Sequence, residues 1–368
     1  MEVRGFHLEN RSIEEDQNLI KSQYIDPLMN KSITIMANNK SYILNNSKVI
    51  EKYNIESTAI NSSNSNKKLT LYAKSKILKM GISQIYNVNF NYDENYIKDI
   101  IKVIEDDCNS QVVNASIESI NHEKIKINPS SNGYKVDEDE LERGIKEKIS
   151  NKSSSDMIIE APIIESAAAI STEQISSINA KISSFDTSFL SSTYERANNI
   201  QLATNFINGK LLMPGEIFSF NDQVGIRTED RGFMIAGIIV GNKVDSGIGG
   251  GICQVSSTLY NAILRTGIKP FERTHHSLPS SYVPLGLDAT VNWDNIDFKF
   301  KNTLVYPIYI EAYTQDQKLY LNIYANSNLL SKKYDVYSRV EGKRVRVTRD
   351  IYENEVLIAS ETISEDEY

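Results

Sequence analysis

Residues 247–258 read Gly-Ile-Gly-Gly-Gly-Ile-Cys-Gln-Val-Ser-Ser-Thr, a glycine-dense turn that runs directly into a helical pattern. Val255, Leu259, Ala262 and Ile263 fall on one stripe, and Gly267 follows as a helix-ending glycine. The spacing therefore predicts a helix over 253–266 with Cys253 at its start. Of the 17 glycines in the chain, 12 lie between 209 and 286, so tight turns and close backbone approaches concentrate around this cysteine. A thiol at a helix N-terminus lies in the positive end of the macrodipole, which favours thiolate. Gly249, Gly250 and Gly251 leave room for a substrate carbonyl to approach backbone N–H groups, the raw material of an oxyanion hole. The next imidazoles are in Arg273-Thr274-His275-His276-Ser277. A thiol followed by a histidine is the constellation of cysteine acyl transfer.

Simpler readings compete with this one. A lone cysteine can be a small buried hydrophobe, and a glycine run can be only a tight loop. The run lacks the Gly-Lys-Ser/Thr of a P-loop and the Gly-x-Gly-x-x-Gly spacing of a dinucleotide fold. Cys253, His275 and His276 have no metal-ligand spacing, so neither a metal nor a cofactor is expected. Ser256 and Ser257, one turn beyond the cysteine, are candidate substrate contacts, and so is Arg227, whose guanidinium can hold a carboxylate.

At 368 residues the chain is long enough for two or three domains. Its net charge of −8 gives no electrostatic footprint for nucleic acid or an anionic membrane surface. No apolar stretch approaches a membrane span, and no signal peptide opens the sequence. The folded pattern that begins at once after Met1 suggests that an upstream segment precedes these residues. The two cysteines are far apart and do not suggest a disulfide scaffold. Cys108 continues the stripe of Ile97, Ile101 and Ile104 and is expected to pack in a core. His122 is expected in a hairpin turn.

The N-terminal half repeats a unit of two short strands and a helix. One copy covers about 32–62, and a clearer one covers 91–149 with helices at Ile97 and over 136–149. Ser192-Thr-Tyr-Glu195 reads as a capping box before the stripe Ile200, Ala203 and Ile207. Strand-like runs follow at 289–293, 297–300, 306–312 and 319–324, and the tail over 343–363 alternates as a hairpin turning near 352–354. The expected class is α+β: small N-terminal α+β lobes, then a helix packed on a mainly antiparallel sheet. The expected boundaries are 1–183, 184–330 and 331–368.

Several ordered motifs carry a resemblance. Pro214-Gly-Glu-Ile-Phe-Ser-Phe-Asn221, Gly225-Ile-Arg-Thr228, the run from Gly247 to Tyr260, His276-Ser-Leu-Pro279, Tyr282-Val-Pro284, Asp288-Ala-Thr-Val291 and Asp297-Phe-Lys-Phe300 resemble the VanW domain over roughly 185–325. The residues before it resemble, more loosely, the peptidoglycan-binding domain that commonly precedes VanW in Gram-positive surface proteins. The resemblance implies a location at the outer face of a bacterial cell, in the cell wall, usually with an N-terminal membrane anchor. It implies peptidoglycan stem peptides and glycan as partners, and L,D-transpeptidation through a cysteine as the activity. Cys253 is then the nucleophile. His276, which carries the His-Ser-Leu-Pro motif, is the expected base, with His275 second and Asp288 orienting the imidazole. The YkuD-type L,D-transpeptidases place histidine before cysteine in Ser-His-Gly-Cys, whereas the cysteine comes first here, so any likeness to them lies in roles rather than order. A wall cysteine endopeptidase or amidase and a non-enzymatic wall-binding module remain open alternatives.

Overall fold

The computed structural model describes residues 2–3, 6–7, 11–68, 70, 85–121, 124–150, 157–240, 243–293 and 295–368. His122 lies outside the described residues. The chain is α+β and divides into two compact units, Met1–Val113 with Ser131–Ala168, and Asn114–Ser130 with Ala169–Tyr368.

In the first unit, strand Ser32–Ala37 pairs antiparallel with Lys40–Asn45 and parallel with Ile158–Glu160. Helices Glu94–Cys108 and Glu138–Ser150 supply their apolar stripes to the same core: Ile97, Ile101, Ile104 and Cys108 from one, and Leu141, Ile145 and Ile149 from the other. The spacing of these residues by three or four positions makes one buried face per helix. Burial raises the Cys108 thiol above its ordinary pKa, as befits a packing residue rather than a nucleophile.

The second unit holds the glycine-rich region. Its central sheet is antiparallel throughout, in the order Ala180–Ser188, Lys318–Ala325, Ile308–Gln315, Lys210–Leu212. Alternation of Ile308, Ile310 and Ala312 with exposed or half-buried residues turns one face inward. Helix Ile252–Leu264 packs on this sheet through Val255, Leu259, Ala262 and Ile263. Helix Tyr194–Ile207 adds Ile200, Ala203 and Ile207 to the same core. Its cap differs from the sequence reading by one residue: Thr193 is the N-cap and accepts from the Arg196 N–H, while Ser192 Oγ instead accepts from the Arg196 guanidinium. The alternating tail forms the expected hairpin, Arg344–Glu353 with Val356–Glu367, turning through Asn354 and Glu355 in left-handed conformation. A third strand, Lys332–Glu341, pairs on its other side, and Val347 and Ile363 enter the unit's core.

The run 289–293 is not a strand. It makes only isolated bridges, Thr274 to Thr290 and Asn292 to Ile296. Its polar groups are taken by side chains of the Ile252–Leu264 helix, a departure that positions the site. No helix among the described residues is long and apolar enough to cross a membrane.

Candidate active site

The glycine run packs so closely that side chains are excluded. A Cβ on Gly250 would lie 2.6 Å from the Gly237 carbonyl oxygen and 2.7 Å from the Ala236 carbonyl carbon. Gly251, the helix N-cap, has φ +106°, and a Cβ there would meet Arg196 Cγ at 3.0 Å. Asn199 staples the turn, its Nδ2 donating to Gly250 O at 3.0 Å and to Met234 O at 2.8 Å. Gly249 and Gly250 are buried, so these two glycines bring the loop against neighbouring backbone rather than lining an open groove, a correction to the sequence reading. The result is a cysteine in the first turn of a helix. The Ile252 and Gln254 N–H groups turn back to Gly249 O and Gly251 O, while that of Cys253 makes no such bond among the described residues.

Cys253 is half-buried, and its Sγ donates to Val291 O at 3.4 Å and accepts from Val291 N–H at 3.5 Å. His276 is buried with its Nδ1 2.5 Å from Asp288 Oδ2, and its own backbone N–H donates to the same oxygen at 2.6 Å. The imidazole's other partner is Cys253. With Nδ1 committed to Asp288, Nε2 is the nitrogen available to the thiol. Burial disfavours the imidazolium, but its bond to Asp288 and the influence of Cys253 outweigh it and push His276 up to about 9. Burial likewise works against ionisation of Asp288. Bonds from His276, the Tyr368 hydroxyl and Arg273 nevertheless hold it well below the usual carboxylate range.

The helix itself fixes where Asp288 sits. Ser256 Oγ donates to Ala289 O at 2.6 Å, Ser257 Oγ accepts from Ala289 N–H at 2.9 Å, and Asn261 Nδ2 donates to Leu287 O at 2.6 Å. Ser256 and Ser257 are therefore fully buried and committed to this segment. They are structural, which corrects the expectation that they contact substrate. His275 turns elsewhere: its Nδ1 lies 2.8 Å from His276 O and its ring 4.8 Å from that of Tyr368. Cys253, His276 and Asp288 come together, and His275 stays outside that chain.

Two arginines act electrostatically on the thiol. Arg227 Nη2 donates to Asn221 Oδ1 at 2.7 Å, its guanidinium lies 5.7 Å from the Trp293 ring, and its Nη1 is buried without a partner. Burial pulls Arg227 down to about 10, partly offset by Cys253 and Asp297. Arg196 bonds Ser192 and Gln254 and lies 6.0 Å from the Tyr282 ring; burial lowers it too, with Tyr282 and Cys253 opposing. Burial first, then Cys253, keeps the Tyr282 phenol protonated far above its ordinary range. Sequence reasoning gave no role to Arg196, Arg273, Tyr282 or Tyr368. Tyr282 and Arg273 were visible in their motifs, but nothing local marks Arg196 or Tyr368. Among the described residues no group of three His, Cys, Asp or Glu side chains is arranged to hold a metal.

Comparison with known proteins gives this unit its relatives. The family model "VanW like protein" matches residues 195–324, and "Putative peptidoglycan binding domain" matches residues 42–157. The uncharacterised protein YoaR of Bacillus subtilis is 38% identical over 175 residues, 47% of this chain and 58% of its own length. The vancomycin B-type resistance protein VanW of Enterococcus faecalis is 30% identical over 133 residues, 35% of this chain and 48% of its own length. The matched stretches thus span about half the length of these curated relatives. No solved structure matches the chain. The first match and the Enterococcus relative point the same way: the chain carries a VanW-like domain, preceded by a region similar to the peptidoglycan-binding type.

Proposed function

We propose that this chain acts at the bacterial cell wall as an L,D-transpeptidase that joins peptidoglycan stem peptides through a thioester on Cys253. The observation that carries the reading is the Cys253–His276–Asp288 chain at the start of a helix, within a VanW-like domain. The match of residues 42–157 to a peptidoglycan-binding model supports the polymer as substrate and the wall as location. In the proposed division of labour, those residues hold glycan or stem peptide and the second unit does the chemistry.

The reaction is derived from the side chains. The Cys253 thiolate, its proton held on His276 Nε2, attacks the carbonyl joining the third stem residue to a terminal D-alanine. A C–S bond forms, and the carbonyl oxygen takes the electron pair as an oxyanion beside the Cys253 N–H and the helix dipole. Collapse breaks the C–N bond, and the departing amine takes the proton from His276. The side-chain amine of a second stem then attacks the thioester. It gives a proton to His276, forms the new amide and releases the thiolate. Asp288 keeps the imidazole in the tautomer and orientation that both halves require.

Mixing the protein with purified disaccharide-tetrapeptides and weighing the products tests this reading. A dimer lacking one D-alanine supports it, and Cys253→Ala must abolish that product. A tripeptide alone would mean water as acceptor, hence a carboxypeptidase. Cleavage only within longer peptides would mean an endopeptidase, and no change with a reactive thiol would end the reading.

A further inference from the structure

We propose that Arg196 and Arg227 form a carboxylate subsite on either side of Cys253, so that the acyl donor must carry a free carboxylate close to the attacked carbonyl. The inference deepens the reading above and rests on it for the identity of the donor.

The two side chains come from separate elements and pack on opposite ends of one glycine run. Arg196, from helix Tyr194–Ile207, has its Cγ 3.0 Å from where a Gly251 Cβ would lie; Arg227, from the loop after Val224, has its Cγ 3.3 Å from the corresponding point on Gly249. The turn between them delivers Cys253. Both guanidinium groups act electrostatically on that thiol.

Among the described residues neither arginine is hydrogen-bonded to a carboxylate, though Asp297 acts on Arg227 from farther off. Arg196 bonds the neutral groups of Ser192 and Gln254, and Arg227 bonds Asn221, with Nη1 buried and unpaired among the described residues. Two more deeply buried arginines of the unit do bond carboxylates: Arg273 holds Asp288 and Asp366, and Arg349 holds Glu361. Two partly buried cations that no carboxylate bonds directly among the described residues are costly in a folded chain, and an incoming anion reduces that cost. The rings of Tyr282 and Trp293 hold the planes in place, which preserves the fork geometry that carboxylates fit. One residue spans only about 3.5 Å, so a carboxylate one residue beyond the attacked carbonyl falls within this pair's reach. The arrangement selects the end of a peptide over its interior.

The charge can be read on the thiol before any peptide is used. Iodoacetate and iodoacetamide both alkylate the thiolate with loss of iodide, but only the first is an anion. On the intact wild-type protein, with Cys253 followed by peptide mass, the iodoacetate-to-iodoacetamide rate ratio is expected to be about tenfold or more above that of a cysteine peptide in the same buffer. It should fall as salt rises. Arg196→Gln and Arg227→Gln should each lower the ratio, and the lysine variants should retain part of it. A wild-type ratio equal to the peptide's overturns the subsite without reference to any variant's folding. Two donor arms, both with meso-diaminopimelate as the third residue, identify the carboxylate: a tetrapeptide with the terminal D-alanine amidated, and one with the diaminopimelate side-chain carboxylate amidated. Loss of at least tenfold in kcat/KM for one of them names the group that is held. Equal turnover of both with the free acid overturns the subsite while leaving transpeptidation standing. Anion preference at Cys253 without any acyl transfer would instead keep the subsite and remove the proposed function.

Discussion

The Tyr368 hydroxyl donates to Asp288 Oδ1 at 2.6 Å across 80 residues of sequence. The same oxygen atom of Tyr368 accepts from the Gly286 N–H at 2.9 Å, and Arg273 Nη2 adds a second donor to Asp288 Oδ1 at 3.1 Å. Arg273 Nη1 in turn bridges both oxygens of Asp366 at 2.7 and 2.6 Å. Strand Val356–Glu367 and the residue after it therefore complete the carboxylate that orients His276.

Tyr368→Phe removes one donor from a buried carboxylate and leaves the Gly286 N–H without its acceptor. The expected loss is about 1–3 kcal/mol of stability at neutral pH. Asp288 is held below its ordinary value of 3.8, so it contributes stability above that pH and loses it as pH falls. The gap between wild type and variant should thus be present at pH 7 and close on strong acidification. Urea titrations at several pH values measure it. Because Asp288 acts through the imidazole, the acyl-transfer rate should also fall while KM changes little. An unaltered rate would assign Tyr368 to stability alone.

For His276 the sign is opposite. Its folded value of about 9 exceeds the unfolded 6.5, so its contribution is complete below about 6.5 and is lost as pH rises through about 9. That loss is on the order of 3 kcal/mol. Cys253→Ala removes one of the two partners that hold the imidazole up and should make the decline shallower. Asp288→Asn removes the other and should do the same. NMR titration of the imidazole in the three proteins checks both. An unmoved value in Cys253→Ala would separate the thiol from the histidine.

What the sequence made legible was local. The cysteine helix announced itself because its stripe lies between two glycine punctuations, and the sheet strands because Ile308, Ile310 and Ala312 alternate. Adjacent residues in an extended segment point opposite ways, which is why His275 and His276 diverge. The 289–293 run misled for a physical reason. Its alternation is real, but Ser256 and Ser257 bond Ala289 in place of a neighbouring strand. The Tyr368–Asp288 and Arg273–Asp366 pairs were illegible because they depend on tertiary packing over 80 and 93 residues, which no local period records.

Two glycines should respond oppositely to alanine. At Gly250 the added Cβ would lie 2.6–2.8 Å from backbone atoms of Ala236 and Gly237, so the strand itself must move. The expected cost is about 1–3 kcal/mol or more, with slower alkylation of Cys253 as the helix start shifts. At Gly144, inside helix Glu138–Ser150, the nearest atom is Ile159 Cγ2 at 4.0 Å. Gly144→Ala should stabilise by roughly 0.5–1 kcal/mol through helix propensity. Denaturant midpoints of the two variants, compared with wild type, decide whether the glycine run is a packing requirement.

Arg349 supports the far end of the cysteine helix. Its side chain is 4% exposed, and its guanidinium donates to the carbonyls of Leu264, Gly267 and Ile268 at 2.8–2.9 Å while Nε meets Glu361 at 2.7 Å. Leu264 O is one of the carbonyls that a helix end leaves without an intrahelical partner, Gly267 and Ile268 belong to the turn that follows, and a cation there also complements the negative end of the dipole. Arg349→Met would strip a donor from all three, leaving Leu264 O only its long bond from the Gly267 N–H, at a cost of about 3 kcal/mol. Half-exposed Glu361 can turn to water, so most of that cost comes from the carbonyls. Arg349→Lys, a single point charge, should recover part but not the fork. Because Arg349 meets the last turn and Cys253 lies in the first, alkylation of the folded variant should stay within about twofold of wild type. A large fall in alkylation without loss of stability would mean that the helix transmits the change to its N-terminus, and that the strands over 332–367 tune the nucleophile as well as the acid.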